Sequence, residues 1–380
     1  MKEGWEIKKL GEVLLKTEMI DPTKNPEKEF VYLDVSSVNK ETKEIEGASV
    51  LLGKNAPSRA RKLVRTNDVI FATVRPTHQR VALIPEEYNE QVCSTGYIVL
   101  RGKENVNNKY LYYFLLTDEF NLQMEKLQKG ASYPAVTDAE VKSIFLRYPN
   151  SLPEQQRIVS ILDEAFAAIA KAKANAEQNL KNAKELFESY LQGVFENGNW
   201  EKKSIKMVCD EIFAGGDAPK NNYSLEPNEK HNIPIYANAV KDRGLYGFTD
   251  FARVTKNCVT IAARGSGTGH TELRNEQFLP IVRLIVCIPD TKQISTEFLK
   301  YTIDNLVIQR SGSAIPQLTV PMIKGYKIPV PPIDEQKAII EYAENLCTKT
   351  QKLEVVYRKK IADLEELKKS LLQKAFSGEL

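Results

Sequence analysis

The 380-residue chain carries three histidines, His78, His231 and His270, and five cysteines, Cys93, Cys209, Cys258, Cys287 and Cys347. Imidazole and thiolate hold transition metals when closely spaced, as in H-x-x-x-H or C-x-x-C, and neither spacing occurs. Scattered, odd-numbered thiols also argue against a disulfide framework and for a reducing compartment, so the expected address is the cytoplasm. The glycine-rich stretch ARGSGTGH at 263–270 lacks the G-K-[ST] of a nucleotide phosphate loop. Two readings of it stay open. It is a tight turn between strands, or its backbone with Ser266, Thr268 and His270 contacts a nucleic-acid phosphate or groove. No glycine fingerprint between a strand and a helix is present, so neither a cofactor nor a metal is expected on this chain.

Cations cluster more informatively. Residues 58–80 hold Arg59, Arg61, Lys62, Arg65, Arg75 and Arg80 against one acid, Asp68, with Thr77, His78 and Gln79 among them. Residues 241–274 hold Lys241, Arg243, Arg253, Lys256, Arg264 and Arg274 against three acids. Any one such stretch is ordinarily a solvated charged face. Two of them at comparable places in a duplicated chain point instead to nucleic acid. An arginine fork fits guanine O6 and N7, while Gln79 or Gln317 fits adenine, and Ser313 is a further polar candidate. The net charge is only +3, so such a surface is local. DPTKNPEK at 21–28 superficially resembles the acidic-proline loop of amino methyltransferases. It lacks the second proline and the stacking aromatic, and reads as a surface loop.

An internal repeat must position these groups. Setting Glu154 on Glu335 also aligns Gln155 with Gln336, Ile158 with Ile339, Gln192 with Gln373 and Phe195 with Phe376. Upstream, GASYP (130–134) answers GSAIP (312–316), and NDVIFA (67–72) answers NCVTIA (257–262). Each half opens on a tryptophan, Trp5 or Trp200. Two tandem copies of a mixed domain followed by a long helix account for this order. The first helix carries an apolar stripe through Leu162, Ala165, Ile169, Ala172, Ala176, Ala183, Leu186 and Tyr190. The second carries Ala343, Leu346, Thr350, Leu353, Tyr357, Leu364, Leu367 and Leu371. Both have the three–four spacing of a coiled-coil seam, and small residues on one match large residues on the other. Pro153 and Pro331-Pro332 mark the starts, Gly198 and Gly378 the stops. A helix from Glu154 to Phe195 is about 60 Å long, and packing the second on the first requires them to run antiparallel. The expected organisation is a domain at 1–152, a helical spacer at 153–198, a second domain at 199–332 and a second spacer at 333–380. Val- and Ile-rich runs such as DVIFATV and PIVRLIVCI read as strands, and 108–128 reads as an amphipathic helix. The fold class is α+β. MKEGWEIKKL lacks the apolar core of a signal peptide, and no apolar run approaches bilayer length.

GSAIPQLTVPMIKGYKIPVPPIDEQKAI (312–339), its counterpart GASYPAVTDAEVKSIFLRYPNSLPEQQRIV (130–159) and the terminal LLQKAFSGEL carry a family resemblance. Over essentially its whole length the chain resembles the specificity subunit of type I restriction-modification systems. That resemblance implies two target recognition domains and an antiparallel coiled coil. It implies a non-catalytic subunit that reads a bipartite target in double-stranded DNA, one half-site per domain, with an unread spacer set by the coiled coil. Implied partners are two copies of an adenine-methylating modification subunit using S-adenosylmethionine, and ATP-dependent restriction subunits; no membrane is implied. Leu152-Pro153 replaces the more usual double proline, and Ser132-Tyr133 widens the turn. Three rival readings remain: a methyltransferase carrying its own recognition domains, a stand-alone DNA-binding regulator and a structural adaptor. The first needs a cofactor motif, and none is present; co-purification separates the readings, since a specificity subunit requires a methyltransferase partner whereas a regulator would bind its site alone.

Overall fold

A computed structural model describes residues 3–265, 267–306 and 317–380. The chain divides into two compact units, Met1–Glu177 with Lys359–Leu380, and Gln178–Arg358.

In the first unit the strands are β1 (Trp5–Lys9), β2 (Glu29–Leu33), β3 (Ser49–Leu52), β4 (Ala60–Val64), β5 (Val69–Ala72), β6 (Val81–Leu83), β7 (Gln91–Ser94), β8 (Tyr97–Leu100) and β9 (Phe145–Pro149). Helices α1 (Asn108–Leu115), α2 (Asp118–Leu127) and α3 (Asp138–Lys142) precede β9, and the long α4 (Leu152–Asn197) follows it. The strands form sheets ordered β3-β2-β7-β4 and β6-β5-β8, plus an antiparallel β1–β9 pair. Every residue of β5 and of β8 is buried, because both strands face apolar layers on both sides. Alternation divides them: Val69 and Phe71 join the core under α1 and α2, whereas Ile70 and Ala72 join the core shared with Leu33, Val64 and Cys93. The single helix expected over 108–128 is two. Thr117 interrupts it by taking the N-cap of α2, its hydroxyl accepting from the Phe120 amide at 3.2 Å.

The second unit repeats this plan with β10 (Lys202–Ser204), α5 (Ile205–Val208), β11 (Cys209–Ala214), β12 (Ile233–Tyr236), β13 (Leu245–Thr249), β14 (Cys258–Ile261), β15 (Thr271–Arg274), β16 (Leu279–Pro280), β17 (Ile285–Pro289), α6 (Thr296–Asn305), α7 (Val320–Gly325), β18 (Lys327–Pro329) and α8 (Ile333–Ser377). Its sheets run β11-β17-β14-β15 and β13-β12-β16, with β10 paired to β18. Each unit contains one parallel pair, β2–β7 or β12–β16. β14 is sandwiched as β5 is, with Val259 and Ile261 to one core and Cys258 to the other.

The repeated glutamine has one job in both units. Gln155 is fully buried; its Oε1 accepts from the Asn107 amide at 2.8 Å, and its Nε2 donates to the carbonyls of Asn105 (3.0 Å) and Pro149 (2.9 Å). Gln336, equally buried, accepts from the Ser295 amide at 2.9 Å and donates to Gln293 (2.8 Å) and Pro331 (2.8 Å). Asn107 and Ser295 are the N-caps of α1 and α6. The amide thus clasps the start of a long helix to the start of the helix packed beside it.

Within the first unit the two long helices run in opposite directions. Arg157 donates to the Leu380 carbonyl at 2.8 Å, the Lys368 ammonium lies 5.0 Å from the Phe166 ring centre, and Lys173 meets Glu365 at 2.6 Å. Phe376 packs on Tyr110 and Phe114 of α1. In the second unit Tyr190 stacks near Tyr342, and Phe195 packs edge-on to Phe298 of α6, the counterpart contact. Leu162, Ile169, Ala176 and Ala183 are buried, and Leu346, Tyr357, Leu364 and Leu371 half-buried. Leu186 and Leu353, expected in the seam, are instead 49% and 41% exposed, as is Leu367. Half-buried positions step through Phe166, Lys173, Leu180 and Phe187 on α4, and through Cys347, Glu354, Ile361 and Lys368 on α8. Phe187, Cys347, Glu354 and Lys368 each lie one residue beyond a leucine of the expected stripe, so lysine and glutamate stems line part of the seam.

Candidate nucleic-acid interface

Each unit carries an equivalent joint where the chain leaves its central strand. After β5, the Thr73 amide and hydroxyl both donate to the Gly96 carbonyl (2.8 and 3.0 Å), and Val136 donates to the Thr73 carbonyl at 2.9 Å. After β14, Leu318 donates to the Ala263 carbonyl at 2.9 Å. In both units the segment just past G-x-x-x-P is therefore laid against the loop that follows the central strand. Arg75 and Arg264 lie on these loops, while Arg59 and Lys241 lie on the turns before β4 and between β12 and β13.

In the first unit Arg75 and Gln79 both adopt left-handed backbone, φ 50° and 46°, flanking a turn at Pro76–His78. Non-glycine residues seldom sit there, and two of them bracketing three residues mark a loop held by its surroundings. Arg75 donates its amide to Pro134 at 2.7 Å. Its side chain is exposed and lies 5.2 Å from the centre of the Tyr133 ring. Arg59 is exposed, and its carbonyl accepts from Thr95 at 2.8 Å, joining it to the same edge. His78 is exposed; partial burial, then Lys40, Arg75 and Arg80, hold its imidazole below the usual value. Thr77 is half-buried. The remaining candidates are engaged inward. Lys62 meets Asp138 at 2.6 Å and the Tyr97 carbonyl at 2.6 Å with only 12% of its side chain exposed. Arg80 donates to the Val38 carbonyl. Arg61 reaches Asp21 at 3.5 Å, and Gln79 donates to Leu115 at 3.2 Å.

In the second unit ARGSGTGH is the β14–β15 hairpin connection. Ala262 and Gly269 are tied to it by Ala262 N to His270 O and Gly269 N to Ala262 O, both 2.8 Å. Gly265 and Gly269 take φ of +84° and +91°, which a side chain resists. Thr268 is buried, its hydroxyl donating to Gly265 at 2.7 Å. Asn238, which lies in no motif of the sequence, braces the loop: its Oδ1 accepts from Ala263 and Arg264, and its Nδ2 donates to the Arg264 carbonyl at 2.7 Å. The described residues of this segment form a turn between strands, as one reading has it, and Arg264 on it is exposed. Lys241 and Gln317 are exposed too. Ser266 and Ser313 lie outside the described residues.

Arg274 is placed differently from the expectation of a DNA contact. It is 1% exposed, its guanidinium stacks 3.6 Å from the Tyr236 ring centre, and it donates to the Arg243 carbonyl and to Thr260. Burial pulls its pKa down. Arg243, its backbone left-handed at φ 55°, is held by Glu272 at 2.9 Å and the Leu273 carbonyl at 2.8 Å. His270 contacts the same carboxylate at 3.0 Å. These three build a polar brace beside the hairpin; Arg243 stays 55% exposed but is paired with Glu272, whereas Arg264 and Lys241 are exposed with no carboxylate partner among the described residues.

Among the described residues no group of three or more His, Cys, Asp or Glu side chains could hold a metal ion, and no helix is long and apolar enough to cross a membrane.

The family model for the type I restriction modification DNA specificity domain matches this chain twice, over residues 2–181 and 197–362. The HsdS subunit from Thermoanaerobacter tengcongensis is 30% identical, with a TM-score of 0.74 covering 100% of this chain and 98% of that one. A chain from a structure of complex assembly and conformational transition in the type I R-M system is 28% identical. Its TM-score is 0.82, covering 100% of this chain and 99% of that one. A Mycoplasma pneumoniae protein named as type I specificity subunit S.MpnORF89P is 28% identical over 257 residues, 64% of this chain and 74% of its own. With the specificity domain matched in both halves and the same clasp and loop joint built into each unit, this chain belongs to the type I restriction-modification specificity subunit family.

Proposed function

We propose that this chain is the non-catalytic subunit that selects the DNA target of a type I restriction-modification complex. Each unit reads one half-site, and the base pairs between the half-sites go unread, their number set by the paired helices. The observation that carries this is the duplicated loop joint, which offers Arg75 in one unit and Arg264 in the other, with Arg59 and Lys241 exposed on other turns of the same units. None of these four side chains has a carboxylate partner among the described residues. Arginine forks suit guanine edges, and the same cations suit phosphates. The chain directs two copies of an adenine-methylating subunit, one per repeat, and restriction subunits. S-adenosylmethionine and ATP belong to those subunits. The relative described with complex assembly of the type I system supports this reading, and the cell compartment follows as the cytoplasm.

Methylome sequencing of a host with and without this gene gives the bipartite motif. Exchanging residues 1–150 for those of another family member is expected to change one half-site and leave the other intact. A heptad inserted near Ala174 lengthens the helix by about 10 Å and widens the spacer by up to roughly 3 base pairs. A fixed spacer with an altered half-site refutes the ruler, and a stable complex with one methyltransferase copy refutes the two-copy assembly.

A further inference from the structure

Tyr133 is 72% exposed, on a loop that begins at Gly130 with φ +100° and returns through Pro134. That loop is fixed rather than free-hanging. Lys129 and Ala135 exchange amide hydrogen bonds at 2.9 Å, Ala135 bridges Val74, and the Pro134 carbonyl accepts from the Arg75 amide at 2.7 Å. A large aromatic left in solvent on a pinned loop loses burial that a small polar residue would not need, so its neighbour matters. That neighbour is the Arg75 guanidinium, 5.2 Å from the ring centre, within cation–π range. No hydrogen bond or ion pair engages the Arg75 side chain among the described residues.

Resting on the DNA-reading function proposed above, we infer that Tyr133 is a positioning residue for target specificity: its ring holds the Arg75 guanidinium so that the fork meets a guanine edge. A ring engages the guanidinium face and leaves the five N–H donors, which lie in its plane, available to O6 and N7. A phosphate contact needs no such orientation, since a swinging cation serves it equally. The ligand is duplex DNA with a G·C pair in the half-site of the first unit. Around it, Lys40 and Arg80 raise the local positive potential that draws DNA in, the same field that helps to hold His78 below its usual value. The two sequence repeats fit this role: Gly130 and Pro134 recur as Gly312 and Pro316, while Tyr133 is answered by Ile315. The glycine and proline are shared in sequence, and the residue before the proline differs between units that would read different half-sites.

The test uses the full chain co-expressed with its modification subunit, and methylation of duplexes carrying each single substitution in the mapped target. Arg75→Ala is expected to lower discrimination at one G·C pair of the first half-site by roughly five- to a hundredfold. Tyr133→Leu should relax the same pair by about two- to fivefold, with an unchanged salt slope. Tyr133→Phe should retain it, and Arg75→Lys should not restore it. Equal loss on every sequence, relaxation in the other half-site, Phe behaving as Leu, or no effect of Leu would each overturn the inference. The wild-type complex and the 1–150 exchange separate this from the broader reading. If they show no bipartite target, both fall; if they do and Tyr133→Leu is silent, only this one falls.

Discussion

Replacing Gln155 by Met keeps the side-chain volume and removes the amide that clasps α4 to the start of α1. Three hydrogen bonds disappear, to the Asn107 amide and the Asn105 and Pro149 carbonyls. At about 1 kcal/mol net each, that is about 3 kcal/mol. The Asn107 N–H and the Pro149 carbonyl are also left facing methionine, and a stranded buried group raises the cost to about 4–5 kcal/mol. Gln155→Glu should cost more, because a carboxylate cannot donate to two carbonyls and a charge is buried besides. The chain's two tryptophans suit the assay, Trp5 in the first unit and Trp200 in the second. In a Trp200→Phe background, urea unfolding followed by Trp5 fluorescence should move down by about 1–2 M, and in a Trp5→Phe background Gln336→Met should act on the Trp200 signal. A midpoint shift under about 0.3 M for Gln155→Met, or a Glu variant as stable as wild type, refutes the clasp.

Seam residues supply a second prediction: Ile169→Ala should cost about 2–4 kcal/mol, while Leu186→Ala and Leu353→Ala stay within about 0.5 kcal/mol of wild type, as read by the same unfolding curves. Lys43 supplies a third. Its ammonium donates to the Lys40 and Gln79 carbonyls, and burial, aided by Lys368, pulls its pKa to about 8 from 10.5. Between those values the folded chain has shed a proton that the unfolded chain keeps, so this group makes stability rise with pH across that window. Lys43→Met should flatten that rise, and identical slopes for variant and wild type would contradict it. Thiol labelling gives a fourth: the native chain should react only at the half-buried Cys209 and Cys347, with Cys347 first because burial pushes the Cys209 thiol up to about 12. Intact-mass measurement counts the adducts, and early labelling of the buried Cys93, Cys258 or Cys287 would count against the core.

The duplication was legible because it is written in order and spacing, and β5 and β14 lie at the two matching N-x-V runs. The Glu-Gln pair was legible as a signature but not as a clasp, since its partners at 105–107 and 293–295 lie some way upstream with no pattern of their own. Cations were counted, yet counting cannot separate Arg264 from Arg274. Arg274 turns inward because Tyr236 and Thr260 are brought to it by β12 and β14. Lys62 is likewise taken by Asp138, remote in sequence. In the helices the eye follows leucine, whereas the packing follows geometry, so Leu186 and Leu353 yield to neighbours that include lysine and glutamate. Tyr133 left only a faint signal, an aromatic between a glycine and a proline.

Leu372, Ala375 and Phe376 belong to the core of the first unit, together with Trp5, Tyr110 and Leu162. The second unit is one uninterrupted stretch, Gln178–Arg358. On the ribosome the order of completion is therefore the reverse of the order of synthesis. The first unit waits for more than half of the chain, about 10 to 40 s at ordinary elongation rates, before its last core side chains emerge. During that interval the docking face of α1, with Tyr110 and Phe114 uncovered, is open to chaperones and to misplaced partners. A premature stop shortly before Leu372 would accordingly damage the unit made first, not the one made last.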